Sequence, residues 1–268
     1  MSHTRADLHT HSTCSDGTET PEALLHLAKE KGLFGLSITD HDTIEAYTPE
    51  LFSQAKDLDI KLLVGSELSS RLNGESVHIL AYNFDINSSS FQNFMQKIQS
   101  QRLSRNKRIL EKLKALEIEI DSELLKKSAV IGRPHIAKIL IDKKIVRNMK
   151  EAFEFYLKDG GKAYVPGERP SPMEVIKEIH KAKGKAFIAH PHLMSKNIFS
   201  QLLHYPFDGI ECYYARFSKE MEKPFLDIAE KKGMLISGGS DFHGSIKPLN
   251  ALGCSWVDDK TFALIKDE

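Results

Sequence analysis

The feature of the sequence that most constrains the fold is a series of seven short apolar segments, six of which end in, or carry, an ionisable residue. The segments begin near residues 6, 36, 60, 77, 186, 208 and 235, and helix-like stretches separate most of them. Alternating strands and helices favour a parallel sheet, and a closed β/α barrel would bring the carboxyl ends of its strands to one rim. We therefore expect an α/β fold with a seven-stranded, TIM-like β/α barrel.

An open, doubly wound sheet is the alternative fold for the same alternation. That fold usually carries a glycine-rich phosphate loop after its first strand. Here the first strand runs into the polar segment 11–17, which contains a single glycine. The sequence therefore favours the barrel.

Residues 88–170 interrupt the alternation. Three serines lead into a long, charged helical run that extends to about residue 118, and further helical stretches follow near 134–144 and 150–158. Strands and helices alternate again from residue 171. We predict that residues 1–87 and 171–268 form the barrel, and that residues 88–170 form an inserted helical subdomain that acts as a substrate lid.

The first strand and its loop carry a metal-binding pattern. His9 and His11 are two residues apart, so a strand would place both imidazoles on one face, together with Asp7. Gly17 permits a turn that folds Asp16 back over the strand end. Imidazole and carboxylate together are suitable ligands for zinc, iron or manganese.

The other polar strand ends add ligands of the same two types. Nine residues are positioned to converge on the rim: His9, His11, Asp16, His41, Glu67, His78, His190, Asp241 and His243. This is more than one ion can use, and carboxylates can bridge neighbouring ions. We expect three divalent ions of manganese, iron or zinc, with manganese favoured.

Composition limits the classes of partner. Lys and Arg together number 37, as do Asp and Glu, so no net charge attracts the chain to a DNA duplex or an anionic membrane. The N-terminal residues lack the apolar segment of a signal peptide, and no apolar run approaches the roughly 20 residues of a membrane span. Three separate cysteines suit a reducing compartment. We expect a soluble, cytoplasmic protein.

The ordered motifs resemble those of the PHP (polymerase and histidinol phosphatase) superfamily. The resemblance is carried by residues 7–12 with 15–17, then by 39–41, 65–67, 189–191 and 240–243. The insertion after the His78 segment and the motif at 132–135 are similar to the branch that dephosphorylates nucleoside 3′,5′-bisphosphates, whose relatives trim RNA from its 5′ end. The resemblance implies a distorted seven-stranded barrel that holds three metal ions.

The resemblance also implies how the nine residues are shared among the ions. One ion would be bound by His9, His11, Glu67 and Asp241. A second would be bound by Glu67, His78 and His190. The third would be bound by Asp16, His41 and His243. We expect Asp40 and Asp42 to orient His41 rather than to bind metal.

Substrate contacts are predicted from residues outside the metal set. Arg133 is the first choice for a phosphate-binding and catalytic guanidinium, because arginine binds phosphate oxygens in a fork, and Arg216 is the second. His135 shares a turn with Arg133 and is a further candidate for substrate binding. His192 follows His190 by two residues and could donate a proton to the leaving group.

These residues predict a hydrolytic mechanism. A hydroxide that bridges two ions can attack phosphorus while the ions neutralise the phosphoryl oxygens, so no protein nucleophile is needed. We predict a metal-dependent phosphoesterase that acts on nucleoside 3′,5′-bisphosphates, on the 5′ ends of short RNA, or on both. The alternatives are a small-molecule phosphatase of the histidinol phosphate type and a non-catalytic, metal-stabilised module.

A basic run within the insertion bears on the choice between these substrates. Residues 97–114 include Lys97, Arg102, Arg105, Lys107, Arg108, Lys112 and Lys114 against a single acidic residue, Glu111. A basic helix beside the rim would attract a polyanion, whereas the simpler interpretation is a solvated helix face. We expect short RNA with a 5′ phosphate to be processed as well as a 3′,5′-bisphosphate.

Overall fold

The protein has an α/β fold with two β-sheets, seen in a computed structural model that describes residues 4–121 and 131–267. The strands are β1 (Ala6–Thr10), β2 (Gly35–Ile38), β3 (Lys61–Leu62), β4 (Gly65–Leu72), β5 (Glu75–Tyr82), β6 (Lys185–Ile188), β7 (Gly209–Tyr214) and β8 (Leu235–Gly239). The first sheet has the order β1-β2-β3 and the second has the order β4-β5-β6-β7-β8. The expected seven-stranded closed barrel is therefore wrong for the part of the chain that the structure describes.

A hairpin explains why the structure has two sheets and not the expected barrel. The segment predicted as one strand from residue 60 is divided into β3 and β4, which lie in different sheets. Strand β4 then pairs antiparallel with β5, with Leu72 opposite Glu75. The two turn residues between them, Asn73 and Gly74, have φ values of +48° and +87°. Such a turn favours Asn-Gly, because both central residues need positive φ. The hairpin breaks the parallel order that a β/α barrel requires.

Single bridges join the two sheets beside the candidate site. Thr10 pairs with Phe242, just beyond β8, and His41 pairs with Glu67 near the start of β4. The backbone N–H of His11 also donates to the carbonyl of Phe242 at 2.9 Å. These contacts bring the ends of β1, β2 and β8 to the start of β4, although no continuous ladder connects the sheets within the described ranges.

Helices cover the sheets and follow conventional start signals. They are α1 (Pro21–Glu30), α2 (Pro49–Asp57), α3 (Ser89–Ala115), α4 (Arg133–Asp142), α5 (Met149–Ala152), α6 (Pro172–Lys181), α7 (Lys196–Leu202), α8 (Lys219–Lys232) and α9 (Asp259–Lys266). Ser171 and Glu174 form a capping box at the start of α6, which satisfies free backbone N–H groups there. None of the helices among the described residues has the length and apolarity needed to cross a bilayer.

Helices α3, α4 and α5 occupy the segment between β5 and α6. The first turns of α3 pack on the main core through Phe91 and Met95. Its later turns join a separate apolar cluster with α4, which includes Ile109, Ile136 and Leu140. The division of the chain into a barrel and an inserted subdomain stays a prediction.

Candidate metal centre

The structure brings the nine predicted metal ligands to one centre between the two sheets. Three overlapping groups have ligand atoms within 4.8 Å of one another, namely His9, His11, Glu67 and Asp241, then His11, Asp16, His41 and His243, and then His41, Glu67 and His78. The ninth residue adjoins them, since Nε2 of His190 lies 2.8 Å from Oε1 of Glu67. How these residues are shared among ions stays a prediction.

Glu67 belongs to two of these three groups, and its carboxylate is fully buried. Its Oε2 lies 3.2 Å from Nε2 of His9 and 3.1 Å from Nε2 of His11. Its Oε1 lies 2.7 Å from Nδ1 of His78. Each carboxylate oxygen therefore faces a different set of imidazoles, as expected of a bridging ligand.

Several imidazole nitrogens of the centre lack hydrogen bonds, as expected of histidines that bind a metal. Among the described residues, buried ring nitrogens of His11, His41, His78 and His190 have no hydrogen-bond partner. The Nδ1 of His78 and the Nε2 of His11 nevertheless lie within 3.1 Å of Glu67 oxygens. Lone pairs that converge without hydrogen-bond geometry fit a shared cation, and the donor set fits divalent transition metals.

Asp40 fixes the loop that carries Asp16. Its carboxylate accepts hydrogen bonds from the backbone N–H of Ser12 at 2.7 Å and from the hydroxyls of Ser12 and Ser15, each at 2.5 Å. Gly17 completes the turn, because a Cβ there would lie 2.2 Å from the carbonyl oxygen of His11. Asp40 therefore orients the loop, and the structure does not give it the expected contact with His41.

Asp42 also has a different partner from the one expected. It accepts a hydrogen bond from the backbone N–H of Ser69 at 2.7 Å and forms a buried ion pair with Arg102 on α3. Burial would raise the pKa of Asp42, but Arg102 holds it at about 2. Asp42 therefore ties the end of β2 to α3.

Sequence reasoning missed Glu211, a fully buried carboxylate on β7. Its Oε1 lies 2.7 Å from Nδ1 of His9, and its Oε2 accepts the backbone N–H of His190 at 2.5 Å. A carboxylate on the second ring nitrogen fixes the orientation of a metal-binding histidine. The available signal was a charged residue inside an otherwise apolar strand.

Asp241 is held by two further residues that the sequence did not indicate. Its Oδ1 faces Nε2 of His9 at 3.5 Å and Nδ1 of His243 at 3.3 Å. Its Oδ2 instead accepts hydrogen bonds from the hydroxyl of Tyr214 and from Nζ of Lys247, each at 2.6 Å. One oxygen therefore remains directed at the imidazoles while the other is fixed from outside.

Burial and the neighbouring charges shift the pKa values of the histidines in opposite directions. Burial would lower the pKa of His9, but the carboxylates around it raise it well above its usual value. Burial likewise opposes charge on His11, yet the adjacent carboxylates of Asp241 and Glu67 raise its pKa to about 9. At His41 burial dominates and lowers the pKa to about 3. The carboxylates thus attract cations to the centre, whether protons or metal ions.

Two of the predicted substrate residues, Arg133 and His135, lie in the first turn of α4. Nη1 of Arg133 donates to the carbonyl of Leu157 at 3.0 Å, and the guanidinium lies 5.8 Å from the ring centre of Phe153. Nδ1 of His135 accepts the backbone N–H of Gly132 at 3.0 Å. The structure therefore gives both residues structural partners in the α4 region, and their substrate roles stay predictions.

The other two candidates lie beyond β6 and β7. The exposed ring of His192 packs against Tyr214 and Phe217, with ring centres 4.5 and 4.7 Å apart. Arg216 is also exposed and has a left-handed backbone, with φ of +66°. Their catalytic roles also stay predictions.

A cluster of arginines adjoins the metal centre. Sequence reasoning did not identify these arginines as a cluster. The arginine cluster consists of Arg71, Arg102, Arg105, Arg133 and Arg169, whose positive charges lower the pKa values of Arg105 and Arg169 further than burial alone. Arg102 links the cluster to the centre, because its Nη2 donates to Oγ of Ser69 at 3.0 Å. Ser69 pairs with His78 in the β4–β5 hairpin.

The chain belongs to the PHP domain family, whose profile matches residues 7–165. It is 32% identical to a 5′-3′ exoribonuclease of Haemophilus influenzae over 94% of this chain and 92% of that protein. It is 30% identical to a 3′,5′-nucleoside bisphosphate phosphatase of Chromobacterium violaceum over 88% of this chain and 86% of that protein.

Two solved structures share the fold of this chain. A protein of Bifidobacterium adolescentis classed as a metal-dependent phosphoesterase is 31% identical, with a TM-score of 0.87 over 97% of this chain and 94% of that one. An amidohydrolase structure from Chromobacterium violaceum is 27% identical, with a TM-score of 0.85 over 96% and 92% of the two chains. The predicted family is confirmed, and the chain is a metal-dependent phosphoester hydrolase.

Proposed function

We propose that the protein hydrolyses the phosphate ester on the 3′ side of a 5′-phosphorylated nucleoside. Its relatives include an enzyme named for nucleoside 3′,5′-bisphosphates and one named for RNA degradation from the 5′ end. Both substrates contain a 5′ phosphate, a nucleoside and a phosphorus atom on the 3′ oxygen. One site can process both if it binds the 5′ phosphate and directs attack at the 3′ phosphorus.

The metal centre would hold the scissile phosphate. The nine histidine and carboxylate residues would bind divalent ions, and we propose three, with manganese favoured. When bound, the ions would generate a hydroxide nucleophile from water and neutralise charge on the phosphoryl oxygens. Glu211 orients His9, while Tyr214 and Lys247 hold one oxygen of Asp241, so these residues keep the ligands aligned.

The arginine cluster is the observation that carries the choice of substrate. The guanidinium of Arg105 is buried and its Nε has no hydrogen-bond partner among the described residues. Burial and the neighbouring arginines lower the pKa of Arg105 to about 8 and that of Arg169 to about 10. A set of mutually repelling cations beside a hydrolytic centre favours binding of a second phosphate, which a 5′ phosphate supplies.

The insertion would provide most of this phosphate site. Arg102 and Arg105 belong to α3, Arg133 begins α4 and Arg169 precedes α6, so four of the five arginines come from residues 88–170. We propose that this segment is a subdomain that covers the substrate. Of the basic run, Arg102 and Arg105 turn towards the protein, whereas Lys107 and Arg108 are exposed. The cysteine usage supports a cytoplasmic location for the enzyme.

A comparison of two substrates tests this proposal. Wild-type protein should release phosphate from adenosine 3′,5′-bisphosphate and mononucleotides from 5′-phosphorylated RNA in the presence of Mn²⁺, and a chelator should stop both reactions. Elemental analysis of protein purified without chelator should give more than one transition-metal ion per chain. If neither substrate is hydrolysed, or if hydrolysis survives chelation, the proposal is wrong.

Two variants test the metal centre and the arginine cluster separately. Asp241→Asn should abolish turnover and lower metal content, because it removes a charged ligand. Arg169→Met should retain metal and lower kcat/KM for both substrates about tenfold or more, as expected for a lost hydrogen bond to a charged group. Arg147→Met is the control, since this exposed arginine pairs with Glu151 away from the cluster. Metal loss in Arg169→Met would contradict the assignment.

A further inference from the structure

A groove of about 550 Å³ lies beside Tyr214, whose hydroxyl holds one oxygen of Asp241. It lies between the loop from β7 to α8 and the segment that precedes α9, and its volume is in the range of ligand pockets. Its main lining residues are Tyr213, Tyr214, Arg216, Phe217, Lys219 and Trp256. We call it the aromatic groove.

Tyr214 places the aromatic groove next to the metal centre. Its ring lines the groove, while its hydroxyl donates to Oδ2 of Asp241 at 2.6 Å. A ligand that extends from the metal centre past Tyr214 would therefore enter the groove. Phe217 and Tyr214 lie 5.6 Å apart between ring centres, which places two aromatic faces near this entrance.

The lining chemistry fits nucleobases. Four aromatic side chains in one open groove provide flat surfaces on which successive bases can stack, whatever their sequence. The exposed Arg216 and Lys219 lie beside them and could contact a phosphate backbone. Glu222 and Asp258 also line the groove and balance these charges. Stacking, rather than net charge, would therefore supply most of the binding.

The position of the groove indicates which part of a substrate it would meet. The arginine cluster adjoins β2 and β4 through Asp42 and Ser69, whereas the aromatic groove adjoins the ends of β7 and β8. This step rests on the proposed function. If the 5′ phosphate lies at the arginines and the 3′ phosphorus at the metal centre, the groove remains for whatever is attached beyond that phosphorus.

We propose that the aromatic groove stacks the nucleobases of RNA on the 3′ side of the scissile bond. A nucleoside 3′,5′-bisphosphate has nothing in this position, so the groove contributes to exoribonuclease activity and leaves bisphosphate hydrolysis unaffected. The groove would thus determine how well the enzyme uses RNA relative to a mononucleotide.

Trp256 allows a direct test. Trp256→Ala should lower kcat/KM for 5′-phosphorylated pentaadenylate about tenfold, the size expected for loss of one stacked base, and leave kcat/KM for adenosine 3′,5′-bisphosphate unchanged. Trp256→Phe should recover most of the loss, because it retains a stacking face. Lys219→Glu should lower RNA cleavage alone, whereas Lys29→Glu, an exposed change on α1, should alter neither substrate.

Binding can be measured in the unmodified protein, because Trp256 is the single tryptophan in the chain. A 2′-O-methyl, 5′-phosphorylated pentaadenylate that resists cleavage should quench its fluorescence, and adenosine 3′,5′-bisphosphate should not. Unchanged fluorescence, or an equal loss of both activities in Trp256→Ala, would overturn the inference while leaving the proposed function intact. Failure of wild-type protein to hydrolyse either substrate would instead overturn the proposed function.

Discussion

Glu211 illustrates how one buried residue controls several ligands. It contacts the ring of His9 and the backbone of His190, although it belongs to none of the groups that could hold an ion. Both contacts use its negative charge or its acceptor oxygens. The orientation of two candidate ligands therefore depends on a residue that need not touch a metal.

We expect Glu211→Gln to lower affinity for Mn²⁺ by about 10- to 100-fold, the usual effect of removing the carboxylate behind a metal-binding histidine. The amide keeps the size of the side chain but loses the charge that holds His9. Calorimetric titration of metal-free protein measures the change. Glu230→Gln, an exposed change on α8, is the matched control, and equal affinities in both variants would contradict the role assigned to Glu211.

The candidate ligands could be proposed from sequence because each is a polar residue in or next to an apolar strand. Glu211 was overlooked because a charged residue inside an apolar strand does not by itself show that it contacts a histidine. Backbone conformation was equally hidden. His190 and Asp241 have left-handed backbones, with φ of +26° and +50°, at the ends of β6 and β8. Only the assembled site can stabilise such conformations.

At the scale of elements, the error in the fold has one source. Asn73-Gly74 is a strong hairpin signal, and it lies between two segments that the helix–strand alternation treats as independent strands. His78 consequently enters the centre from the middle of an antiparallel strand, and Glu67 from the start of β4. At β1, His9 lies within the strand and His11 just after its end, whereas at β4 and β5 the hairpin, and not the end of a parallel strand, brings the side chains to the centre.

The ion pair between Asp42 and Arg102 links two elements of secondary structure. It joins the end of β2 to α3, and both side chains are almost excluded from solvent. Arg102→Leu should destabilise the protein by about 3 kcal/mol, because it leaves the Asp42 carboxylate buried without its counter-charge.

Urea unfolding measures this loss, and a second substitution identifies its cause. The double variant Asp42→Asn/Arg102→Leu should recover much of the stability, because the uncompensated charge is then absent. If the double variant is as unstable as the sum of its two single variants, the ion pair is not what joins these elements.

At the scale of the whole molecule, stability should depend on alkaline pH through Cys212. This thiol is fully buried in the main core, and burial raises its pKa from about 9 to about 12. The unfolded chain loses this proton first as pH rises, so the associated stability is complete below pH 9 and is lost between about pH 9 and 12.

The loss should reach roughly 1 kcal/mol at pH 10, which unfolding curves at pH 8 and pH 10 can resolve. Cys212→Ala removes the titrating group and should reduce this difference, even though it lowers stability at both pH values by leaving a small cavity. An unchanged difference between the two pH values would show that other groups cause it.

Residues that lie far apart in the sequence meet at the active centre, and this has a consequence for biosynthesis. Asp241 is synthesised 225 residues after Asp16, since 241 − 16 = 225, and His243 follows it. At about 5–20 residues per second, roughly 10 to 50 s separate these events. The complete set of candidate ligands therefore cannot assemble on a nascent chain until Asp241 and His243 have been made. A product that stops before Asp241 lacks both residues, so we expect incomplete synthesis up to that point to yield an inactive protein.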